Sequence, residues 1–91
     1  MKTIQVNQMC SPRTGNPVAN QFVIMTKKGI YFQSYETIIA YKPDNGKIKL
    51  DSRYWNYSVT TTKYRNMFTG LDTNETKKAI IDKEIILTNL N

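Results

Sequence analysis

The chain has 91 residues with 13 Lys and Arg, 7 Asp and Glu, one Cys and no His, for a net charge of +6. This length favours a single domain over residues 1–91, and the lone cysteine excludes an intramolecular disulfide. Without histidine there is no Ser-His-Asp or Cys-His catalytic site and no Cys/His zinc site. No apolar run approaches the ~18 residues of a membrane span, and the polar amino terminus is unlike a signal peptide.

The amino-terminal third predicts strands joined by a rigid loop. Residues 1–8 alternate, with Ile4 and Val6 pointing one way, which predicts a half-buried strand. Residues 11–17 contain two prolines and a Gly-Asn pair, which indicate a loop. Residues 20–26 are rich in β-forming side chains and predict the next strand.

The middle of the chain predicts further hairpins. Residues 27–29 form a turn before a returning strand at 30–34, and residues 35–41 favour a strand, although Glu36 leaves a local helical turn open. The Asn-Gly turn at 43–46 leads to a strand at 47–50, in which Ile48 and Leu50 point inward and Lys47 and Lys49 point outward.

The carboxyl-terminal part changes period. Residues 53–59 are aromatic and can form a strand, whereas a helical stripe predicts a helix at 61–69 that is capped by a threonine at 60–62 and ends at Gly70. A second helix at 74–82, capped by residue 73 or 74, precedes a strand at 84–90 with Ile85 and Leu87 on one face. The predicted class is α+β: a small, mostly antiparallel sheet of five to six strands with two short helices in the C-terminal third.

Charge and aromatic side chains are unevenly distributed. Residues 1–71 carry ten basic and three acidic residues, whereas residues 72–91 carry three basic and four acidic ones. The basic part also contains all six Tyr, all three Phe and the one Trp. This combination points to an acidic partner such as nucleic acid. The alternative is that the charge simply keeps a small domain monodisperse.

An aromatic and basic cluster lies between residues 53 and 65. Cationic side chains and aromatic faces together can hold single-stranded nucleic acid. The alternative places Trp55, Tyr57 and Phe68 in the core and leaves Tyr54 and Tyr64 exposed. The stiff loop at 11–17 presents Arg13 to a partner or is an ordinary connection. The candidate residues for partner or nucleic-acid binding are Arg13, Lys27, Lys28, Arg53, Tyr54, Lys63, Tyr64 and Arg65.

Catalysis has little support in this sequence. The hydroxyl-rich stretch at 58–63 resembles a phosphate cradle, but it lacks a glycine-rich loop, and helix capping explains its threonines. The carboxylates are scattered without a spacing that predicts a metal site, and Cys10 is a lone thiol. We therefore expect a protein that is not an enzyme and that has no cofactor and no metal.

Four segments form a recognisable pattern: Ser-Pro-Arg-Thr-Gly-Asn-Pro and the residues after it at 11–22, residues 31–35, Tyr-Trp-Asn-Tyr-Ser and its extension at 54–61, and residues 86–90. Together they resemble short proteins of bacteriophages and prophages that have no known function. The resemblance spans most of the chain and implies a small binding protein of the anti-CRISPR kind, including inhibitors of type VI RNA-guided RNases. A basic inhibitor is not a phosphate mimic, so it would bind an acidic patch or act on the effector together with its guide RNA.

Two functions follow as expectations. The first is stoichiometric inhibition of a host defence nuclease, such as a CRISPR effector, in the cytoplasm of a bacterial host. The second is a single-stranded nucleic-acid-binding module, for RNA or single-stranded DNA, that serves phage replication or transcription. Neither involves a membrane, and the sequence leaves the oligomeric state open.

Overall fold

The computed structural model describes residues 4–91, in which six strands form one sheet in the order β1-β2-β3-β4-β5-β6. Two helices follow β5, so the predicted α+β class is confirmed. The prediction for residues 1–3 of the first strand lies outside the described residues. The elements are β1 (Gln5–Cys10), β2 (Pro17–Met25), β3 (Gly29–Ser34), β4 (Thr37–Pro43), β5 (Ile48–Asp51), α1 (Val59–Thr69), α2 (Thr73–Ile81) and β6 (Ile85–Thr88).

The first five strands form an antiparallel meander, and β6 joins it in parallel to β5. A parallel neighbour cannot be reached through a tight turn, so the chain needs a crossover between the two strands. Helices α1 and α2 provide that crossover. The late change from strand to helical period therefore marks the one parallel pair in the described sheet.

The helices cover one face of the sheet. Successive strands contribute one row of side chains beneath them, in which Phe32, Ala40 and Leu50 have no exposed surface. Phe32 stacks on Phe68 of α1 with ring centroids 5.9 Å apart. Burying such a row removes apolar area from water at about 25 cal/mol per Å², which is the main stabilising contribution to a domain of this size.

Two irregularities shape the β3–β4 hairpin. The connection is a two-residue turn, in which Tyr35 has a φ of 56°, and a new strand starts at Thr37. The register then shifts by one residue between Phe32 and Gln33, and Ile39 has no exposed surface. Such a bulge places two consecutive side chains on one face, which explains why both Ile39 and Ala40 belong to the core.

The aromatic segment after β5 forms turns, so the interpretation of residues 53–59 as a strand is wrong. The carboxylate of Asp51 accepts hydrogen bonds from the backbone N–H groups of Arg53 and Tyr54, at 3.1 and 2.9 Å. This side-chain capping competes with strand pairing and folds the chain back on itself. As a result Tyr57 is 50% exposed instead of lying in the core, whereas Trp55 packs against the core from its edge.

Both helices begin earlier than the sequence predicts. Ser58, and not a threonine at 60–62, caps α1 by accepting a hydrogen bond from the N–H of Thr61 at 3.1 Å. Asp72 caps α2, one residue before the predicted cap, and forms a capping box with Glu75. The predicted stop of α1 at Gly70 is confirmed, since that residue adopts a left-handed conformation with a φ of 80°.

The amino-terminal strand is exposed on both faces, so its prediction as half-buried is wrong. Ile4 and Val6 are 67% and 59% exposed, because the register with β2 and β3 places them on the sheet face opposite the helices. Within β1, Met9 is the residue that packs against the core. At the opposite edge, Ile85 and Leu87 lie on one face as predicted, and Ile85 is buried whereas Leu87 is 38% exposed.

Candidate nucleic-acid interface

The sheet face opposite the helices carries a continuous row of side chains across all six strands. Residues paired directly in register lie on the same face, and no helix or strand among residues 4–91 covers this one. We call it the open face. Its central row, in strand order, consists of Val6, Ile24, Tyr31, Tyr41, Lys49 and Ile86.

Two tyrosines form the centre of this row. The rings of Tyr31 and Tyr41 stack with centroids 4.2 Å apart and an interplanar angle of 20°. The ammonium group of Lys49 lies 5.9 Å from the centroid of the Tyr41 ring, within cation–π range. An aromatic pair with a cation beside it combines the two features by which proteins hold unpaired bases and their phosphates.

The phenol of Tyr41 is held in its neutral form. Partial desolvation, the neighbouring Tyr31 and the carboxylate of Asp44 together raise its pKa above the ordinary value. The hydroxyl donates a hydrogen bond to the backbone carbonyl of Lys28 at 3.3 Å. This bond ties the aromatic pair to the β2–β3 loop, which contains two consecutive lysines.

The lysines of the β2–β3 loop border the stacked tyrosines. Lys27 and Lys28 are exposed and line two adjoining shallow pockets of about 370 and 420 Å³, both of which also include Tyr41. Asp44 lines the larger pocket and is the acidic exception in this group. Exposed ammonium groups beside an aromatic platform favour an anionic, planar ligand.

The other candidate residues lie away from these lysines or on the helix side. Arg13 is exposed in the β1–β2 loop, at the opposite end of β2 from Lys27 and Lys28. An extended strand with the nine residues of β2 is about 26 Å long. Arg53 is exposed in the turns after β5, with its guanidinium 6.0 Å from the ring centroid of Tyr54, which is half-buried. Lys63 is exposed on α1.

Two candidates are not available to a partner, so their assignment to a binding surface is wrong. Tyr64 is only 4% exposed and belongs to the hydrophobic core. Arg65 is fully buried, where it donates hydrogen bonds to the carbonyl of Trp55 at 2.6 Å and to Asn66 Oδ1 at 2.7 Å. Its guanidinium also lies 5.3 Å from the centroid of the Trp55 ring.

Arg65 is a structural cation. Burial lowers its pKa below the ordinary value, and the salt-bridge partners found among residues 4–91 do not include it. Its charge is instead balanced by carbonyl and amide dipoles and by an indole face. This role was not predictable from the sequence, since helical spacing alone does not show which face of α1 packs on the sheet.

Sequence reasoning missed Tyr31, Tyr41 and Lys49 as members of one site. One usable signal was present, because the alternation at 47–50 places Lys49 on the outer face. The pairing of Ile24 with Tyr31 follows from a turn of two residues, Lys27 and Lys28, which is one residue shorter than the predicted turn at 27–29. The pairing of Tyr31 with Tyr41 depends on the bulge in β4, which the sequence does not reveal.

Three further observations on the described residues concern metal ligands, membrane-spanning helices and the cysteine thiol. Among residues 4–91, no three His, Cys, Asp or Glu side chains come together as a metal site. In the same part of the chain, no helix is long and apolar enough to cross a membrane. Cys10 is a free, exposed thiol at the end of β1.

Fold and surface thus define a two-layer α+β domain with one covered and one open sheet face. The profile of DUF8033, a family of unknown function, matches residues 4–85, and the chain belongs to this family. No curated protein and no solved structure matches the chain. Its resemblance to bacteriophage proteins stays a prediction.

Proposed function

We propose that this protein binds single-stranded nucleic acid on the open face and does not catalyse a reaction. The stacked pair of Tyr31 and Tyr41, flanked by Lys49, is the observation that supports the proposal. Bases can stack on aromatic side chains regardless of sequence, and each such contact contributes about 1–3 kcal/mol. The net charge of +6 adds a sequence-independent attraction to phosphates.

The lysines of the β2–β3 loop place positive charge on one side of the stacked tyrosines. Bases would lie over the tyrosines, and the phosphates beside them would contact Lys27 and Lys28. Neutralising phosphates releases counterions, so the affinity should fall steeply as the salt concentration rises. In a duplex the bases are paired and stacked on one another, so its binding would lack the contribution from stacking on the tyrosines.

Fluorescence anisotropy with labelled oligo-uridine and oligo-thymidine strands tests this proposal. The Tyr41→Leu variant keeps an apolar side chain in the row but removes the aromatic face, and we expect about tenfold weaker binding or more. Tyr57→Leu is the matched control, because Tyr57 is 50% exposed but belongs to the turns after β5. Unchanged affinity for Tyr41→Leu, or an equal loss for the control, would overturn the assignment of the site.

The loop lysines are tested through the salt dependence. The double change Lys27→Glu and Lys28→Glu should weaken binding and lower the slope of log affinity against log salt by about 1.4, at about 0.7 per phosphate contact. Lys77 and Lys78, also consecutive and exposed but on α2, provide the control double change. The same slope in both double variants would show that the loop has no specific part in binding.

A protein partner is the second candidate function, and one surface favours it. The exposed Arg53 and Tyr57 flank the half-buried Tyr54, and the two tyrosine rings meet edge to face at 5.4 Å. Arginine and tyrosine are enriched among the residues that dominate protein interfaces. Stoichiometric inhibition of a host defence nuclease, in the cytoplasm of a bacterial host, would use this group.

A pull-down of the tagged protein from lysate of a CRISPR-bearing host, with and without nuclease treatment, separates the two functions. A near-stoichiometric effector nuclease that resists nuclease treatment and is lost in Arg53→Glu would support the inhibitor proposal. Nucleic acid alone, released by high salt, would support the open face instead. Arg53 is changed by itself in this test, because Arg65 is fully buried and cannot contact a partner.

A further inference from the structure

The β6 edge of the sheet carries exposed aliphatic side chains on both faces, since Leu87 lies on the side of the helices and Ile86 on the open face. Ile81, at the end of α2, is 77% exposed, and Ile86 and Leu87 of β6 are 41% and 38% exposed. Ile86 and Leu87, with the less exposed Ile80 and Ile85 and the side chain of Lys83, line a shallow pocket of about 280 Å³. Scattered exposed aliphatic residues are ordinary, whereas a continuous apolar patch marks an interaction surface.

The backbone of β6 is also free on one side. Among residues 4–91, it is the last strand of the sheet and pairs with β5 alone. Edge strands are usually protected by charged residues, proline or a bulge, and Ile85–Thr88 has none of these. The edge therefore offers unpaired backbone donors and acceptors next to apolar side chains.

The β1 edge is different. Its register with β2 is irregular between Gln8 and Cys10, which is a common way to protect an edge. The exposed ammonium groups of Lys27 and Lys28 line the same pocket as Ile4. An edge protected in this way is a poor site for a further strand, which favours β6 as the edge that pairs.

The charge distribution identifies the partner that fits β6. Ten of the 13 basic residues and three of the seven acidic residues lie in 1–71, whereas 72–91, which contains α2 and β6, has three basic and four acidic residues. Two copies with a charge of +6 each repel one another least where this mixed segment is at the surface.

We propose that two copies of this chain pair through β6 to form a symmetric dimer. The strands run antiparallel about a two-fold axis, so the same patch serves both protomers and the sheet continues from one to the other. Ile81 and Leu87 of each protomer lose their exposure against the partner. Because Ile85–Thr88 is uncharged, no like charges are placed opposite one another within the paired strands.

Sedimentation equilibrium over a concentration series tests the proposal. The wild-type protein is expected to reach twice its monomer mass of 10.6 kDa, and Ile81→Lys to raise the dissociation constant at least tenfold. Ile81 is 77% exposed, so this change leaves the core intact, and circular dichroism checks that the variant folds. Val6→Lys, at the β1 edge, is the control and should dimerise as the wild type does.

Leu87→Lys provides a second variant within the strand itself and should also give monomers. A wild-type protein that stays monomeric at every concentration would overturn the proposal. Dimers that dissociate in Val6→Lys but persist in both β6 variants would also overturn it, because they would place the contact at the β1 edge. A dimer that persists in all three variants would contradict it equally.

Discussion

The carboxylate of Asp51 joins three parts of the chain at the end of β5. One oxygen accepts hydrogen bonds from the backbone N–H groups of Arg53 and Tyr54, at 3.1 and 2.9 Å. The other accepts from the N–H of Leu90 at 2.8 Å and from the Asn91 side chain at 3.0 Å. Asp51 is only 1% exposed, so these four bonds replace its hydration almost completely.

Replacing this residue in the Asp51→Asn variant keeps the size of the side chain but removes half of its acceptors. The amide oxygen can serve one pair of donors, and the amide nitrogen then faces the other pair. A hydrogen bond to a charged group contributes about 1.5–3 kcal/mol, so the loss of two bonds costs about 3 kcal/mol at the low end. For a domain of this size, that lowers the melting temperature by about 12 °C or more.

The same bonds give the stability a defined pH dependence. Burial opposes ionisation of Asp51, but the hydrogen bonds from Leu90, Tyr54, Asn91 and Arg53 outweigh it and lower the pKa of the carboxyl below its ordinary value. A lowered pKa in the folded state means that the contribution is complete above the unfolded pKa, about 3.9, and is lost as the pH falls through the folded pKa. The difference between wild type and Asp51→Asn should therefore shrink below about pH 4.

Thermal and urea unfolding followed by circular dichroism, between neutral pH and pH 3, measure this difference. Asp44→Asn is the control, since its carboxylate accepts no hydrogen bond from residues 4–91 and is exposed. A stability of Asp51→Asn within about 1 kcal/mol of wild type at neutral pH would refute the role assigned to the carboxylate. So would a difference that stays constant down to pH 3.

Two further substitutions test close packing and the buried cation. Gly29→Ala should lower the free energy of unfolding in urea by more than about 2 kcal/mol, because its new Cβ would lie 2.7 Å from backbone atoms of β4. The control, Gly70→Ala, has open space around the new Cβ but a φ of 80°, and should lower it by about 1 kcal/mol. Equal losses in the two variants would contradict the clash at Gly29. Arg65→Glu should cost about 4 kcal/mol or more, since it leaves a buried carboxylate facing the carbonyl of Trp55. The exposed Arg53→Glu should unfold like wild type, and a folded, stable Arg65→Glu protein would show that the arginine is not structural.

Most of the secondary structure could be predicted from local pattern. The Asn-Gly turn, the hairpin turn at 27–29 and the change to a helical period are signals within a few residues, and each leads to an element that the structure contains. The failures occur where a distant group competes with the local signal. The strand considered at 53–59 is lost to the Asp51 carboxylate, and the apolar side of β1 stays exposed because it lies on the face opposite the helices.

The candidate site was predicted less well, for the same physical reason. Lys27, Lys28, Arg13 and Arg53 are exposed, as expected of charged residues in turns. Tyr64 and Arg65 have the same residue types as exposed binding residues, yet they lie on the face of α1 that packs against the sheet. Residue type and helical spacing predict that one face of a helix is buried, but they do not show which residues lie on that face.

By itself, the amino-acid sequence determined the positive charge, the α+β class, the loops and the absence of histidine chemistry, because these depend on composition and on neighbours within a few residues. The tertiary structure decided which aromatic residues meet. Tyr31 and Tyr41 are ten positions apart and stack because a turn and a bulge bring them into register. It also decided that Arg65 is buried and that β6 ends the sheet beside β5, since burial and strand order depend on contacts between distant parts of the chain.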